Sequence, residues 1–310
     1  MKIFITGGAG FIGSHLCRKL LSKGHKLMCI DDLSTGSENN IKDLIPNKRF
    51  EFIKQDIIYP IFFDSDTKFD WIMHFASPAS PPDFISNPIR TLQTNTLGTL
   101  NCLDIAKLMN AKFFLASTSE IYGDPLIHPQ PEEYFGNTNP IGPRSCYDEG
   151  KRVAESLTIA YHKRYKMDIR IARIFNTYGP NMRVDDGRVI PNFICQALKE
   201  KPLTIYGNGK QTRSFCYVDD MVDGIIALMK SNYQIPVNIG SLDEQTIFAI
   251  AEGILYLTKS KSKKIYKHLP EDDPKKRCPI IDKISKTGWK PKVDLMNGLE
   301  KTIKYFKEVL

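Results

Sequence analysis

The chain has 310 residues, 42% of them apolar and 25% charged, with a net charge of +8. That composition is ordinary for a soluble globular protein and sufficient for one large or two modest domains. No apolar run is long enough to span a bilayer, no nucleic-acid motif accompanies the positive charge, and seven scattered cysteines without a C-x-x-C pair exclude a disulfide frame or a zinc site.

Lys2-Ile3-Phe4-Ile5-Thr6 reads as a short buried strand. It leaves no room for a signal or transit segment, which points to a cytoplasmic protein. Gly7-Gly8-Ala9-Gly10-Phe11-Ile12-Gly13 follows at once, and Leu16, Leu20 and Leu21 then recur at helical spacing. Strand, glycine turn and helix is the context of a loop that cradles a dinucleotide. Gly7 allows a tight turn, Gly10 lets backbone approach a pyrophosphate, and Gly13 lets helix and strand pack closely. Phe11 and Ile12 belong to the same loop, and the helix N-terminus offers free N–H groups to phosphate. A second strand from Lys26 ends at Asp31, followed by Asp32. A carboxylate at this distance suits the adenosine ribose and would repel a 2′-phosphate, so NAD is expected rather than NADP.

A third strand, Phe50 to Gln55, ends at Asp56-Ile57, where an adenine edge could be met. Trp71 to Phe75 is the next, ending at Ala76 and Ser77. A long amphipathic helical segment is predicted from Pro88 to Met109. Lys112 to Ala116 is a strand ending in Ser117-Thr118-Ser119-Glu120. A helix then carries Tyr147 and Lys151 one turn apart on one face. A phenol has a pKa of about 10, and a nearby ammonium is expected to lower it enough for the pair to take a proton from a sugar hydroxyl. Ile169 to Ile174 is a further strand.

Strands alternating with helices predict a doubly wound parallel α/β sheet of Rossmann type, with ligands at the carboxyl ends of the strands. Past Asn176 the texture changes to turns and scattered arginines, with a short helix at Val189 to Leu198. Residues 1–176 are therefore expected to form the NAD-binding domain, with a return segment at 215–240. Residues 177–310 are expected to form mainly a smaller α/β domain for substrate. Lys259, Lys261, Lys263, Lys264 and Lys267 read as a solvated loop. No metal site is expected.

The chain resembles the extended short-chain dehydrogenase/reductases, and among them the UDP-glucuronate decarboxylases. The likeness runs nearly the whole length. It rests on the glycine loop, Ala76-Ser77-Pro78-Ala79-Ser80-Pro81-Pro82, Ser117-Thr118-Ser119-Glu120-Ile121-Tyr122-Gly123, Cys146-Tyr147-Asp148-Glu149-Gly150-Lys151-Arg152 and Gln211-Thr212-Arg213. The resemblance implies oxidation at C4 of UDP-glucuronate by retained NAD, loss of carbon dioxide from the β-keto acid, and re-reduction to UDP-xylose. It implies that Tyr147 is the base, Lys151 its partner and Thr118 a hydrogen-bond donor. Glu120 and Arg213, with Ser119 beside them, would serve the decarboxylation and the protonation of C5; independently of the resemblance, a carboxylate close to a carboxylate substrate is expected to have a raised pKa, which would suit Glu120 to be an acid. It implies Asn176, Arg188, Tyr206, Arg213 and Arg277 around the UDP sugar, and a homodimer built through the Pro88–Met109 and Tyr147 helices. Ser119 stands where related dehydratases carry an Asp that helps expel a hydroxyl, and a hydroxyl is a much weaker acid. The chain departs from the resembling family at Ser241-Leu242 and at Cys278-Pro279-Ile280. A sister dehydratase or C4-epimerase, or an NAD-sensing binding protein, remains an alternative at this level.

Overall fold

β1 (Lys2–Thr6) is buried at every position after Lys2, as an apolar run in a parallel sheet covered on both faces must be. In the computed structural model, which describes residues 1–310, it lies at the heart of a seven-stranded parallel sheet. α1 (Phe11–Ser22) turns Leu16, Cys17, Leu20 and Leu21 into the core. β2 (Lys26–Asp31), β3 (Phe50–Lys54) and β4 (Trp71–His74) follow. After the short helices α2 (Pro81–Ser86) and α3 (Pro88–Gln93), α4 (Thr99–Leu108) leads into β5 (Lys112–Thr118). α5 (Ser145–Tyr165) and β6 (Ile169–Ile174) come next. The sheet order is Pro236–Ile239, β6, β5, β4, β1, β2, β3, every pair parallel. The strand order reverses beside β1, so the glycine turn opens at the switch point where such sheets bind ligands.

The helix expected from Pro88 to Met109 is not continuous. Pro81 and Pro88 each start a short helix, and Thr94–Gly98 forms a π-helical turn between α3 and α4. The wider turn brings Asn95 against α5, where a Cβ on Gly150 would stand 3.1 Å from the Asn95 Cβ. Gly150 thus lets the helix bearing Tyr147 and Lys151 pack closely. β5 also runs two residues beyond the expected end, to Thr118.

In the second half, helices Val189–Leu198, Ile247–Thr258 and Leu295–Val309 pack on one another. The apolar core is continuous from Ile3 of β1 to Phe306 of the last helix. The lysine-rich stretch is a loop at Lys259, Lys261 and Lys263, as expected, and departs from that reading only after them. Lys264–Lys267 is a strand, paired in parallel with Leu203–Tyr206. Backbone pairing to a strand anchored by buried Leu203 and Ile205 holds it, while its lysines stay largely outside. Thr212–Ser214 lies between Glu244–Thr246 and Lys276–Arg277, and the register sets Arg213 beside Arg277. All seven cysteines are buried and unpaired. No helix is long and apolar enough to cross a membrane, and no group of three His, Cys, Asp or Glu side chains could hold a metal ion.

Candidate active site

A cavity of about 670 Å³ opens at the carboxyl ends of the strands, beneath the second half of the chain. Every candidate residue named from the sequence lines it except Arg277.

At one end, Gly7 has φ +73°, and a Cβ there would stand 2.5 Å from the Ala76 nitrogen. A Cβ on Gly13 would stand 2.1 Å from the Gly7 carbonyl oxygen. No side chain caps α1 at Gly10, so its first N–H groups face the cavity uncapped. The Asp31 carboxylate closes this cradle, accepting from Ala9 N (3.0 Å) and Leu33 N (2.9 Å). Burial raises its pKa against those two hydrogen bonds. The glycines leave room only for backbone, which is what a pyrophosphate-binding turn requires. Arg90, unremarked in the sequence, stands here and pairs with both Asp32 and Asp56. Its place inside an apparently amphipathic helix gave no signal of this.

In the middle lies the Tyr147 phenol. Its ring stacks on Phe84, centroids 5.0 Å apart and planes 8° from parallel. Lys151 is 3% exposed, and its Nζ donates to the Ala116 carbonyl at 3.0 Å. Burial brings the Lys151 ammonium down to about 7. Burial also pushes the Tyr147 phenol well above its usual range, opposed by a hydrogen bond with Thr118 and by the charge of Arg188. The expected lowering of the phenol by Lys151 is therefore not the balance in this site. The lysine is buried too, and a cation that itself gives up its proton near neutrality offers a phenolate little.

Arg188 lines the cavity near Tyr147. Asp186 holds its guanidinium through two bonds of 2.6 and 2.7 Å. Its centre is 6.0 Å from the Phe11 ring of the glycine loop. It thus faces the dinucleotide end and the phenol. Asn176 lines the cavity with a buried side-chain oxygen that has no partner. Tyr206 is half exposed at the rim.

Beyond Tyr147 is a cluster of charges. Glu120 accepts from Arg144 (2.6 Å) and from Arg277 (3.1 Å), and Arg277 is fully buried behind it. Arg213 pairs with Asp273 at 3.1 Å, and Arg144 lies 3.6 Å from the same carboxylate. Burial pushes the Glu120 carboxyl up, but Arg277, Arg144 and Arg213 outweigh it and hold it at about 2. A raised pKa for Glu120 is corrected by that count of cations: the group is a carboxylate at neutral pH. The neighbouring Asp148, unremarked in the sequence beside Tyr147, is instead pushed up to about 8 by burial and by Glu120. Ser119 is buried, and its carbonyl accepts from Arg277 at 2.5 Å. Arg277 therefore stands at the Glu120 end, a placement visible only once strand register had set it beside Arg213.

Residues 3–240 match the NAD dependent epimerase/dehydratase family. The chain is 51% identical to UDP-glucuronic acid decarboxylase 1 of Xenopus tropicalis over 310 residues, covering 100% of this chain and 73% of that one. It is 52% identical to UDP-glucuronic acid decarboxylase 3 of Arabidopsis thaliana over 302 residues, 96% of this chain and 87% of that one. Among solved structures it is similar to UDP-glucuronic acid 4-epimerase from Bacillus cereus in complex with UDP-glucuronic acid and NAD. That match has a TM-score of 0.88 and 31% identity and covers 100% of both chains. It is also similar to the UDP-glucose 4-epimerase of Thermotoga maritima, with a TM-score of 0.91 and 28% identity over 100% and 99% of the two chains. With its parallel sheet, its glycine cradle and Tyr147 and Lys151 on one helix face, the chain belongs to the NAD dependent epimerase/dehydratase family of extended short-chain dehydrogenases/reductases.

Proposed function

We propose that the protein is a UDP-glucuronate decarboxylase that makes UDP-xylose with retained NAD. The observation that carries this reading is the Glu120–Arg277–Arg144 cluster at the end of a cavity built for a dinucleotide and a sugar. Whole-length identity of about half to decarboxylases supports it. Gly7, Gly10, Phe11, Ile12 and Gly13 would hold the pyrophosphate, and Asp31 with Asp32 the ribose. Asp56, Ile57, Ala76 and Ser77 complete that wall. Bound NAD would supply the oxidant at C4 and, once reduced, the reductant that restores C4.

Tyr147 would have to act as a phenolate, a form disfavoured by its burial and favoured once the positive charge of bound NAD is beside it; as such it takes the proton of the C4 hydroxyl as the ketone forms, with Thr118 hydrogen-bonding the same oxygen. Lys151 holds the Ala116 carbonyl and keeps the Tyr147 face of α5 against β5. The C5–C6 bond then breaks, carbon dioxide leaves, and the electron pair passes to the C4 oxygen, where Tyr147 and Thr118 steady it; C5 next takes a proton by way of water as the C4 ketone re-forms, and Tyr147 returns its proton to the C4 oxygen when C4 is reduced again. Glu120 is already ionised, so a second carboxylate beside it is disfavoured, and release of neutral carbon dioxide removes that charge. Arg213 stands within reach to seat the acidic sugar, and Asn176 and Tyr206 offer polar groups along the way. Ser119 leaves a dehydratase without its acid. The exposed Leu92, Leu97 and Val153 on the α3–α4 and α5 surfaces support pairing of two copies through those helices. Buried, unpaired cysteines support a reducing, cytoplasmic setting.

The test is incubation with UDP-glucuronate, with and without NAD, and mass analysis of the nucleotide sugar. Loss of the mass of carbon dioxide supports the reading. An unchanged mass with an altered sugar isomer would replace it with epimerisation.

A further inference from the structure

We propose that Phe84 is a positioning residue for Tyr147, fixing the plane of the phenol between Thr118 and the floor of the cavity. The inference rests on the decarboxylase reading for its kinetic part only. Phe84 lies on α2, a six-residue helix opened by Pro81 and Pro82, and is 1% exposed although it borders the cavity. Two side chains at the start of α5 pack on its ring, Tyr147 of the helix and Arg144 just before it. Tyr147 is stacked on it at 5.0 Å and 8°, and the Arg144 guanidinium lies 5.4 Å from its centre. The Phe84 carbonyl also accepts from the Cys146 thiol at 3.3 Å, so backbone and ring both fix the start of α5. Phe84, Cys146 and Tyr147 form a small apolar cluster separate from the main core.

α2 is itself tied to the second half of the chain. Asp83 accepts two bonds from Arg183, at 2.7 and 2.9 Å, and one from the Ser80 hydroxyl at 2.6 Å. Pro82 sits where Gly187 leaves space: a Cβ there would stand 2.3 Å from the proline ring. The ring under Tyr147 is thus held from the substrate side of the cavity. A phenol is effective as a base only when its oxygen is held against the reacting hydroxyl, and a misplacement of about 1 Å costs on the order of 100-fold. A flat aromatic ring stacked at this separation resists tilting of the phenol in a way an aliphatic side chain does not.

The test compares Phe84→Leu and Phe84→Tyr in the NAD-loaded protein. Phe84→Leu should lower kcat by roughly 10- to 100-fold, with KM for UDP-glucuronate within about threefold and NAD content and melting temperature near those of the parent. Phe84→Tyr should restore kcat to within about threefold. A ring fluorine on Tyr147, read by 19F NMR, supplies a measurement that needs no turnover. Lost ring current shifts the line in any case, so the quantity read is the rate at which the Tyr147 ring flips, seen as exchange between its two fluorine positions; it should rise in Phe84→Leu and return in Phe84→Tyr. An unchanged flip rate in Phe84→Leu overturns the proposal, as does an unchanged kcat, or a loss that tracks lost NAD. If the parent protein does not decarboxylate UDP-glucuronate, the functional reading falls, and the flip rate still decides whether Phe84 holds the ring.

Discussion

Removing Lys151 should change how stability depends on pH. The ammonium is buried by the Tyr147 helix and β5, with the Ala116 carbonyl as its hydrogen-bond partner. Burial lowers its pKa from 10.5 to about 7. The unfolded chain therefore binds more protons than the folded one between those limits, and stability rises with pH across that window. At about 1.36 kcal/mol per pH unit, the full span corresponds to roughly 5 kcal/mol. Between about pH 6.5 and 9 the expected gain is roughly 2–3 kcal/mol. A Lys151→Met variant lacks this contribution, because its side chain carries no charge. Urea unfolding of the nucleotide-free protein and the variant, at half-unit steps over that range, measures the difference directly. The parent should gain on the variant by about 2–3 kcal/mol as pH rises, or by several degrees in melting temperature at about 2 °C per kcal/mol. Parallel curves would refute the reasoning, since they would mean that Lys151 titrates alike in both states and its charge is not isolated in the folded protein.

Tyr147→Phe should cut turnover by roughly 100- to 10,000-fold while leaving NAD bound, as measured by initial rates and by the nucleotide released on denaturation. Glu120→Gln leaves Arg277 and Arg144 buried without their carboxylate, at an expected cost of about 3–5 kcal/mol, readable by denaturant melts at pH 7. With Glu120 held at about 2 in the fold against 4.5 otherwise, its contribution is present above about 4.5 and lost as pH falls towards 2. The parent and Glu120→Gln should therefore converge in stability over that acid range. Gly7→Ala places a Cβ 2.5 Å from the Ala76 nitrogen at a positive φ, so NAD binding followed by calorimetry should weaken by at least tenfold.

The dinucleotide end was legible because it rests on local geometry. A strand, three glycines, a helix and a carboxylate at the end of the second strand specify one another at short range, and Gly7, Gly13 and Asp31 sit as that pattern requires. The sugar end was legible only as a set of residue types. Arg277 joins Glu120 because Lys276–Arg277 pairs in register with Thr212–Ser214, and the two segments are more than sixty residues apart with no periodic signal between them. The protonation states also depended on distant chain. Three arginines converging on Glu120 decide that it is ionised, and burial from two sides decides that Lys151 is near neutrality. Arg90 looked like an ordinary member of an amphipathic stretch and Phe84 fell between named elements, since a break into α2, α3 and a π-helical turn leaves little trace in hydrophobic spacing. Lys264–Lys267 looked solvated because its side chains are; its backbone is not.

The most direct test of decarboxylation through an internal redox cycle uses UDP-glucuronate carrying deuterium at C4 and carbon-13 at C6. The product should be UDP-xylose that keeps the deuterium at C4, with the label from C6 recovered as carbon dioxide and no reduced nucleotide accumulating. Deuterium lost to solvent, or a sugar that keeps its carbon-13, would contradict the account.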